Sequence, residues 1–460
     1  MARHGRAEPK NGRGYLLIVL ACGFAGTVLM FGVAREHTTL DRVAASARAA
    51  YVVAPNPIEA VTAGLEPTAS IAEPGAPSDR IRAILLAPRE IRLLVGGREV
   101  RRLPLDREPD GLRAIVDAIG DRGWISELAP GEFELRAALV LDPGTELNVA
   151  PPATTNLRLV NLPGVFLGAN SARLTLDQVQ VRAVESDGLA AAESDGFRPF
   201  VTAMNGSVLV ANRSMFSNLG WDWNGSYGVS WMSGSTGSST NSTYEANFIG
   251  VYTDHSDGLR FSGDVFRLNQ LYGLDPHSSS SRLTVANCIA VRNGVHGIIL
   301  SDKVTDSSIR GCTVSDNGGN GIMLDQGSIG NTLVANVIRD NRGDGVVLSD
   351  AAANQVRDNR ISGNRVGIHR YAGGTAGETV VTGNELDDNA MSWQGVEPDP
   401  SNQASSNGGQ WDLRRAAAVL VGIVGVGAVW ASVTWRLRRQ HRPTRVVAAH
   451  VRRHSTRVTW

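Results

Sequence analysis

Lysine is nearly missing from this 460-residue chain: Lys10 and Lys303 are the only two, and arginine supplies the rest of the positive charge. A GC-rich codon bias accounts for that in general, but it sets Lys303 apart as a lone ammonium in the body of the chain. Cysteine is scarce too. Cys22, Cys288 and Cys312 are the full complement, which excludes a small scaffold stapled by disulfides. Net charge is absent, with 45 basic against 45 acidic residues. No basic patch stands outside the C-terminal tail, which argues against a general nucleic-acid binder. Wholesale disorder is excluded as well, because 42% of the residues are apolar.

Two apolar runs are long enough to span a bilayer, which takes ~20 residues. They are Tyr15–Ala34 and Ala416–Trp435, the first preceded by Arg3, Arg6, Lys10 and Arg13 and the second followed by Arg436, Arg438 and Arg439. The positive-inside rule predicts a two-pass cell-membrane protein with both termini cytoplasmic and the body of the chain extracytoplasmic. A cleaved signal peptide is the alternative reading of the first run. The expected order is a basic N-terminus (1–14), a transmembrane helix (15–34) and an Ala/Pro-rich tether (35–79). An N-terminal cap with the first strands (80–156) and a repetitive domain (157–395) follow. A linker (396–415), a second transmembrane helix (416–435) and a basic cytoplasmic tail (436–460) complete the chain.

The repetitive domain is the most informative part. Glycines that open short apolar strands stand at Gly228, Gly250, Gly273, Gly297, Gly321, Gly345 and Gly367, at intervals of 22, 23, 24, 24, 24 and 22. Asn247, Asn269, Asn293, Asn317, Asn341 and Asn364 precede most of them, and a second file runs through Asn287, Asn336, Asn359 and Asn384. This period predicts an all-β chain, a right-handed parallel β-helix whose strands pair with their equivalents one rung away. In HGIIL, NGIML and DGVVL the first and third residues after glycine point inward and the one between points outward. GLRAIVDAIG, residues 111–120, has helical spacing and suits a cap on the open N-terminal end. A leucine-rich-repeat solenoid competes poorly, because LxxLxLxxN and a helix per repeat are missing. Cys288 and Cys312 fall one period apart and stack in adjacent rungs, bonded or simply packed. The segment SGSTGSSTNST, 233–243, reads as a loop on the groove rim.

The outer strips of such a coil suit an extended, repetitive ligand, above all a polysaccharide. Tyr272, Asp275 and His277 share one rung; His296 opens the next, with Asp302 and Lys303 after its strand. Asp325 holds the comparable place one rung on, and Arg260 and Arg267 lie on the preceding rung. This set supplies a base, a phenol, carboxylates and a cation. The blander reading of each is a solvated turn residue or a turn cap.

LYGLDPH, RLTVANC, HGIILSDKV and NGIMLDQGSIGNTLVANVIRDN, in that order between about Phe216 and Asn389, resemble the periplasmic mannuronan C5-epimerase family of alginate biosynthesis. The resemblance implies a right-handed β-helix whose DPHD turn carries the catalytic base. By that resemblance His277 is the base, Asp275 and Pro276 shape the turn, and Tyr272 lies beside the sugar. The sequence departs from the family at two points. Ser278 stands where DPHD ends in aspartate, and Asp302 replaces a carboxylate-neutralising arginine, leaving adjacent Lys303 as the substitute cation. Inverting C5 of a uronate requires removal of a proton α to a carboxylate and neutralisation of the charge that develops there. The expected activity is C5-epimerisation of uronic acid residues in an exported polysaccharide. Catalytic roles fall to His277, Tyr272 and Lys303, and substrate contacts to Asp275, Arg260, Arg267, His296, Asp302 and Asp325. A β-eliminating lyase, or a non-catalytic polysaccharide-binding β-helix, is the alternative. No cofactor is implied; calcium is compatible but not indicated. Expected partners are a uronic-acid polysaccharide and a polysaccharide synthase or export machinery, with no nucleic acid.

Overall fold

Strand after strand pairs with the one a rung away, and the result is a parallel β-helix. The computed structural model describes residues 56–62, 71–72, 78–192, 196–371, 378–397 and 399–404. Among them the strands form three sheets of 14, 10 and 13 strands, in which most neighbours lie two or three elements apart in sequence. The coil begins with Glu132–Leu135 and Ala138–Leu141, which pair in parallel with the rung above. It ends at Gln403–Ala404. It therefore starts about one rung earlier than the expected boundary at residue 157.

The core is a stack of like residues. Val251, Leu274, Ile298, Ile322, Val346 and Ile368 lie in register and are fully buried. The bends are held by asparagine. Nδ2 of Asn269, Asn293, Asn317, Asn341 and Asn364 each donates to the next Oδ1 at 2.8–3.1 Å. Each of those Oδ1 atoms also accepts the backbone N–H of the asparagine one rung earlier. The backbone N–H of each of these asparagines is thereby satisfied by the side chain of the adjacent rung.

The second file is Asn336, Asn359, Asn384 and Asn402. Asn287 is not a member; it is exposed at positive φ. The place one rung before Asn336 belongs to Cys312, whose N–H donates to Asn336 Oδ1 at 2.9 Å. Cys288 N–H approaches Cys312 Sγ at 3.4 Å, and both thiols are free and buried. The glycine file exists because the coil is tight at that corner. A Cβ on Gly250 would lie 2.3 Å from the Gly273 carbonyl oxygen, closer than any side chain tolerates.

At the N-terminal end, Arg82–Ala87, Glu90–Val95 and Arg98–Pro104 form an antiparallel meander. The helix Leu112–Ile119 follows, burying Leu112, Ile115 and Ile119 and ending at left-handed Gly120. Its apolar face joins the same core as Leu147 and Val149, covering the first rung as a cap.

Four expectations need correction. Tyr15–Ala34 and Ala416–Trp435 lie outside the described residues, and no helix among the described residues is long and apolar enough to cross a membrane. The longest of these is the eight-residue Leu112–Ile119, ~12 Å against the ~30 Å of a hydrocarbon core. The two transmembrane helices and the two-pass membrane placement are therefore withdrawn. Secondly, the 35–79 segment is more than a tether: Ile58, Ala60, Val61, Ile71 and Ala72 are buried against the outer face of the 14-stranded sheet. Thirdly, the 233–243 stretch is no rim loop. Thr236–Thr240 is a strand in full register with Val208–Asn212, and its Gly237 lies tight against the Leu209 carbonyl. Fourthly, LDPH is a strand, Leu274–His277, and the turn comes after it.

Candidate active site

The 14-stranded sheet presents two outward columns. Register places Ser230, Tyr252 and Asp275 in the first, continued by Ile299, Met323, Val347 and His369. Met232, Asp254 and His277 begin the second, continued by Ser301, Asp325 and Ser349. His277 and Asp275 therefore share one face of one strand, two residues apart.

Pro276 makes this rung unlike its neighbours. Its carbonyl accepts Ser301 N–H at 3.0 Å, but its nitrogen has no hydrogen to give the next rung. Pairing from this strand to the next is accordingly recorded only at Leu274↔Ile298, whereas Ile298–Leu300 pairs over three positions with the following strand. A proline inside a sheet belongs at edges or irregularities, so the ladder is loosened beside Asp275 and His277. The strand is followed by Ser278 and Ser279, both at positive φ.

The His277 ring is partly buried, 5.7 Å from the Tyr252 ring between centroids. Its Nδ1 lies 2.8 Å from Ser278 Oγ. Asp254 is its register partner on the preceding rung, with Oδ1 2.5 Å from Nδ1 of His255. Asp275 is 4% exposed, and its Oδ1 has no hydrogen-bond partner among the described residues. Burial holds its carboxyl well above the usual range, which favours the protonated form that can donate a hydrogen bond.

Tyr272 and His296 precede consecutive glycines of the file, and their rings stack at 5.3 Å with planes 2° apart. Burial, and then the nearby acidic side chains of Asp275, Asp325 and Asp222, raise the Tyr272 phenol well above its ordinary value. Nδ1 of His296 accepts Asn320 N–H at 3.0 Å, so the ring hydrogen resides on Nε2. Burial lowers His296 to about 4. It is a fixed neutral donor, not a second base.

Asp302 and Lys303 both have positive φ, which places them in a bend. The Asp302 carbonyl accepts Ser279 N–H, stacking this bend on the turn that follows His277. Lys303 Nζ lies 3.6 Å from Asp302 Oδ1, and its side chain is 71% exposed. Asp325 accepts from the backbone and side chain of Gln326, which also donates to Ser301 Oγ. Arg260 and Arg267 are not brought to this face. Arg260 lies in the 10-stranded sheet, and Arg267 lies in the 13-stranded sheet, where it donates to Glu245 at 2.9 Å. A rung has three sides, so residues of the preceding rung are shared among three faces. Tyr252 and Asp254 were missed by sequence reasoning, although the outward position after Gly250 points to Tyr252.

On the N-terminal side the strip is walled off. Tyr227, Phe248, Tyr252, Trp221 and the inserted Ile58 and Val61 are all buried in one apolar cluster. Partly buried Tyr272 and Trp223 stand at its border.

Fold and strip together define a parallel β-helix with a histidine and a buried carboxyl side by side on its outer face. The chain is similar to known proteins in the same sense. Residues 206–407 match a family described as periplasmic copper-binding protein (NosD). The mannuronan C5-epimerase of Pseudomonas aeruginosa is 29% identical over 200 residues, 40% of this chain and 37% of that protein. Mannuronan C5-epimerase AlgG of Azotobacter vinelandii is 29% identical over 199 residues, 40% of this chain and 38% of that protein. The chain thus spans about two fifths of the length of the curated relatives it matches. The crystal structure of the periplasmic alginate epimerase AlgG superposes with a TM-score of 0.59 at 23% identity, covering 64% of this chain and 81% of that one. That likeness establishes the shared fold, and the resemblance read from the DPH region holds. The copper of the NosD description finds no counterpart: among the described residues no three His, Cys, Asp or Glu side chains form a metal-binding group, and the two thiols point into the core.

Proposed function

We propose that this chain epimerises C5 of uronic acid residues in a polyuronate, with mannuronan as the first substrate to test. The observation that carries the reading is the placing of His277 beside the buried, unpartnered carboxyl of Asp275 on one outward face. The similarity to mannuronan C5-epimerases supports it. In this reading a uronate seats over Asp275, with His277 assigned to one face of its ring and Tyr272 to the other.

With Ser278 Oγ accepting from Nδ1, Nε2 of His277 takes the C5 proton. The electron pair moves into the carboxylate, where the neutral Asp275 donates a hydrogen bond to the oxygen on which charge develops. Lys303 adds positive charge from the adjoining bend. Tyr272, kept protonated by its surroundings, returns a proton to the opposite face of C5. The tyrosinate then regains a proton, and the imidazolium loses one, through solvent. Loss of the C4 substituent instead would make the chain a lyase, and no residue at the site favours that outcome. Incubation of mannuronan in deuterated water tests the reading, since epimerisation leaves deuterium at C5 without creating unsaturated chain ends.

A further inference from the structure

Four rungs beyond His277, the strand Val366–Arg370 carries a second polar cluster on the same face. Asp344 is fully buried and accepts from Nε and Nη2 of Arg365, at 2.9 and 2.7 Å. Its Oδ2 lies 2.7 Å from Nδ1 of His369, itself only 4% exposed. The His369 ring packs on Tyr371 at 4.1 Å, and the Tyr371 hydroxyl lies beside the Arg365 guanidinium. The Arg365 side chain is nonetheless 53% exposed, and Tyr371 is 40% exposed. A cation and an aromatic face are thus held still by buried partners while remaining open to solvent. The arrangement suits a ligand that offers a carboxylate beside a flat, C–H-rich ring.

We propose that Arg365 and Tyr371 form a distal subsite for a uronate residue of the same polysaccharide chain that His277 acts on. The proposal rests on the epimerase reading for its ligand. Two further observations support it. The wall of buried aromatics on the N-terminal side leaves the polymer only the C-terminal rungs to lie along. Between the two polar clusters the partly exposed Met323 of the first outward column and Asp325 and Ser349 of the second offer an apolar contact and hydrogen-bonding partners to sugar rings. Four rungs at ~4.8 Å place the subsite ~19 Å from the base, a distance of several sugar rings. Arg365 touches the carboxylate; Asp344 and His369 are positioning residues.

The test is binding and exchange kinetics of oligomannuronates of graded length on the full chain. Affinity for the wild type is expected to rise once an oligomer spans both clusters. Arg365→Ala should erase that rise, raising KM for long chains about tenfold, while short oligomers and kcat on saturating polymer stay unchanged. Arg365→Lys keeps the charge but loses the two-point hold on Asp344, and should recover part of the affinity. An equal loss at every length, or no loss at all, overturns the subsite. If long oligomers bind in an Arg365-dependent way but no C5 exchange occurs, the epimerase reading fails and the subsite stands. If exchange occurs without this length dependence, the subsite alone fails.

Discussion

The imidazole of His296 lies flat on the phenol of Tyr272, ring centroids 5.3 Å apart and planes 2° apart. The pair joins two rungs, and the Asn320 N–H that bonds His296 Nδ1 fixes both ring and tautomer. His296 is thus expected to hold Tyr272 in place without exchanging protons itself. His296→Ala should slow C5 exchange by about tenfold, the worth of one aromatic contact. The acid limb of the pH profile should not move, because His296 titrates near 4. A shifted limb would mean that His296 takes part in proton transfer.

Ser278 supplies a hydroxyl where the resembled family has a carboxylate. A carboxylate beside Nδ1 stabilises the imidazolium, so Ser278→Asp should move the acid limb of exchange upward by about one pH unit. The pH–rate profile of the variant measures this. An unmoved limb would place the titrating base elsewhere than His277.

Stability should depend on pH through Asp264. Burial raises its carboxyl to about 7, against donors from Ser239, Ser242 and Ser262. A folded value above the unfolded one means the native state holds the proton longer. Its stabilising contribution is complete below the unfolded value near 4 and is lost as pH rises through 7. The thermal midpoint should fall between pH 5 and 8, and less steeply in Asp264→Asn. An identical slope in both proteins would show that Asp264 is not the group responsible.

Much of this molecule is legible in its sequence because a coil repeats its constraints. The glycine interval, the first asparagine file and the inward–outward alternation of HGIIL, NGIML and DGVVL each appear in the structure where the spacing puts them. What the sequence hides is tertiary in origin. Arg260 and Arg267 look adjacent to the site by rung, but a rung has three faces and only register tells them apart. Cys312 replaces asparagine in the second file, and only the bond from its N–H to Asn336 reveals the shift. LDPH reads as a turn because proline rarely enters a sheet, yet here the strand tolerates it by giving up part of its pairing. The burial of Ile58 and Val61 is invisible in an Ala/Pro-rich segment until the outer apolar face they cover is known.

The asparagine ladder can be tested directly. Asn317→Ala removes the acceptor of Asn293 N–H and the donor to the Ala290 carbonyl, both buried. With each unsatisfied group costing about 1–3 kcal/mol, the variant should lose several kcal/mol in a urea titration. Asn389→Ala, on a more exposed rung, should lose less. Equal losses would show that the ladder's strength does not depend on burial.

His277 is expected to remove the C5 proton of a uronate seated over Asp275. The most direct measurement is deuterium incorporation into mannuronan, followed by magnetic resonance, for the full chain and for His277→Ala. The expected result is deuterium at C5 with inverted configuration and no unsaturated ends, and a loss of about 10²–10⁴-fold in His277→Ala. Absence of exchange across a panel of uronic acid polymers, or exchange undiminished in His277→Ala, would contradict it.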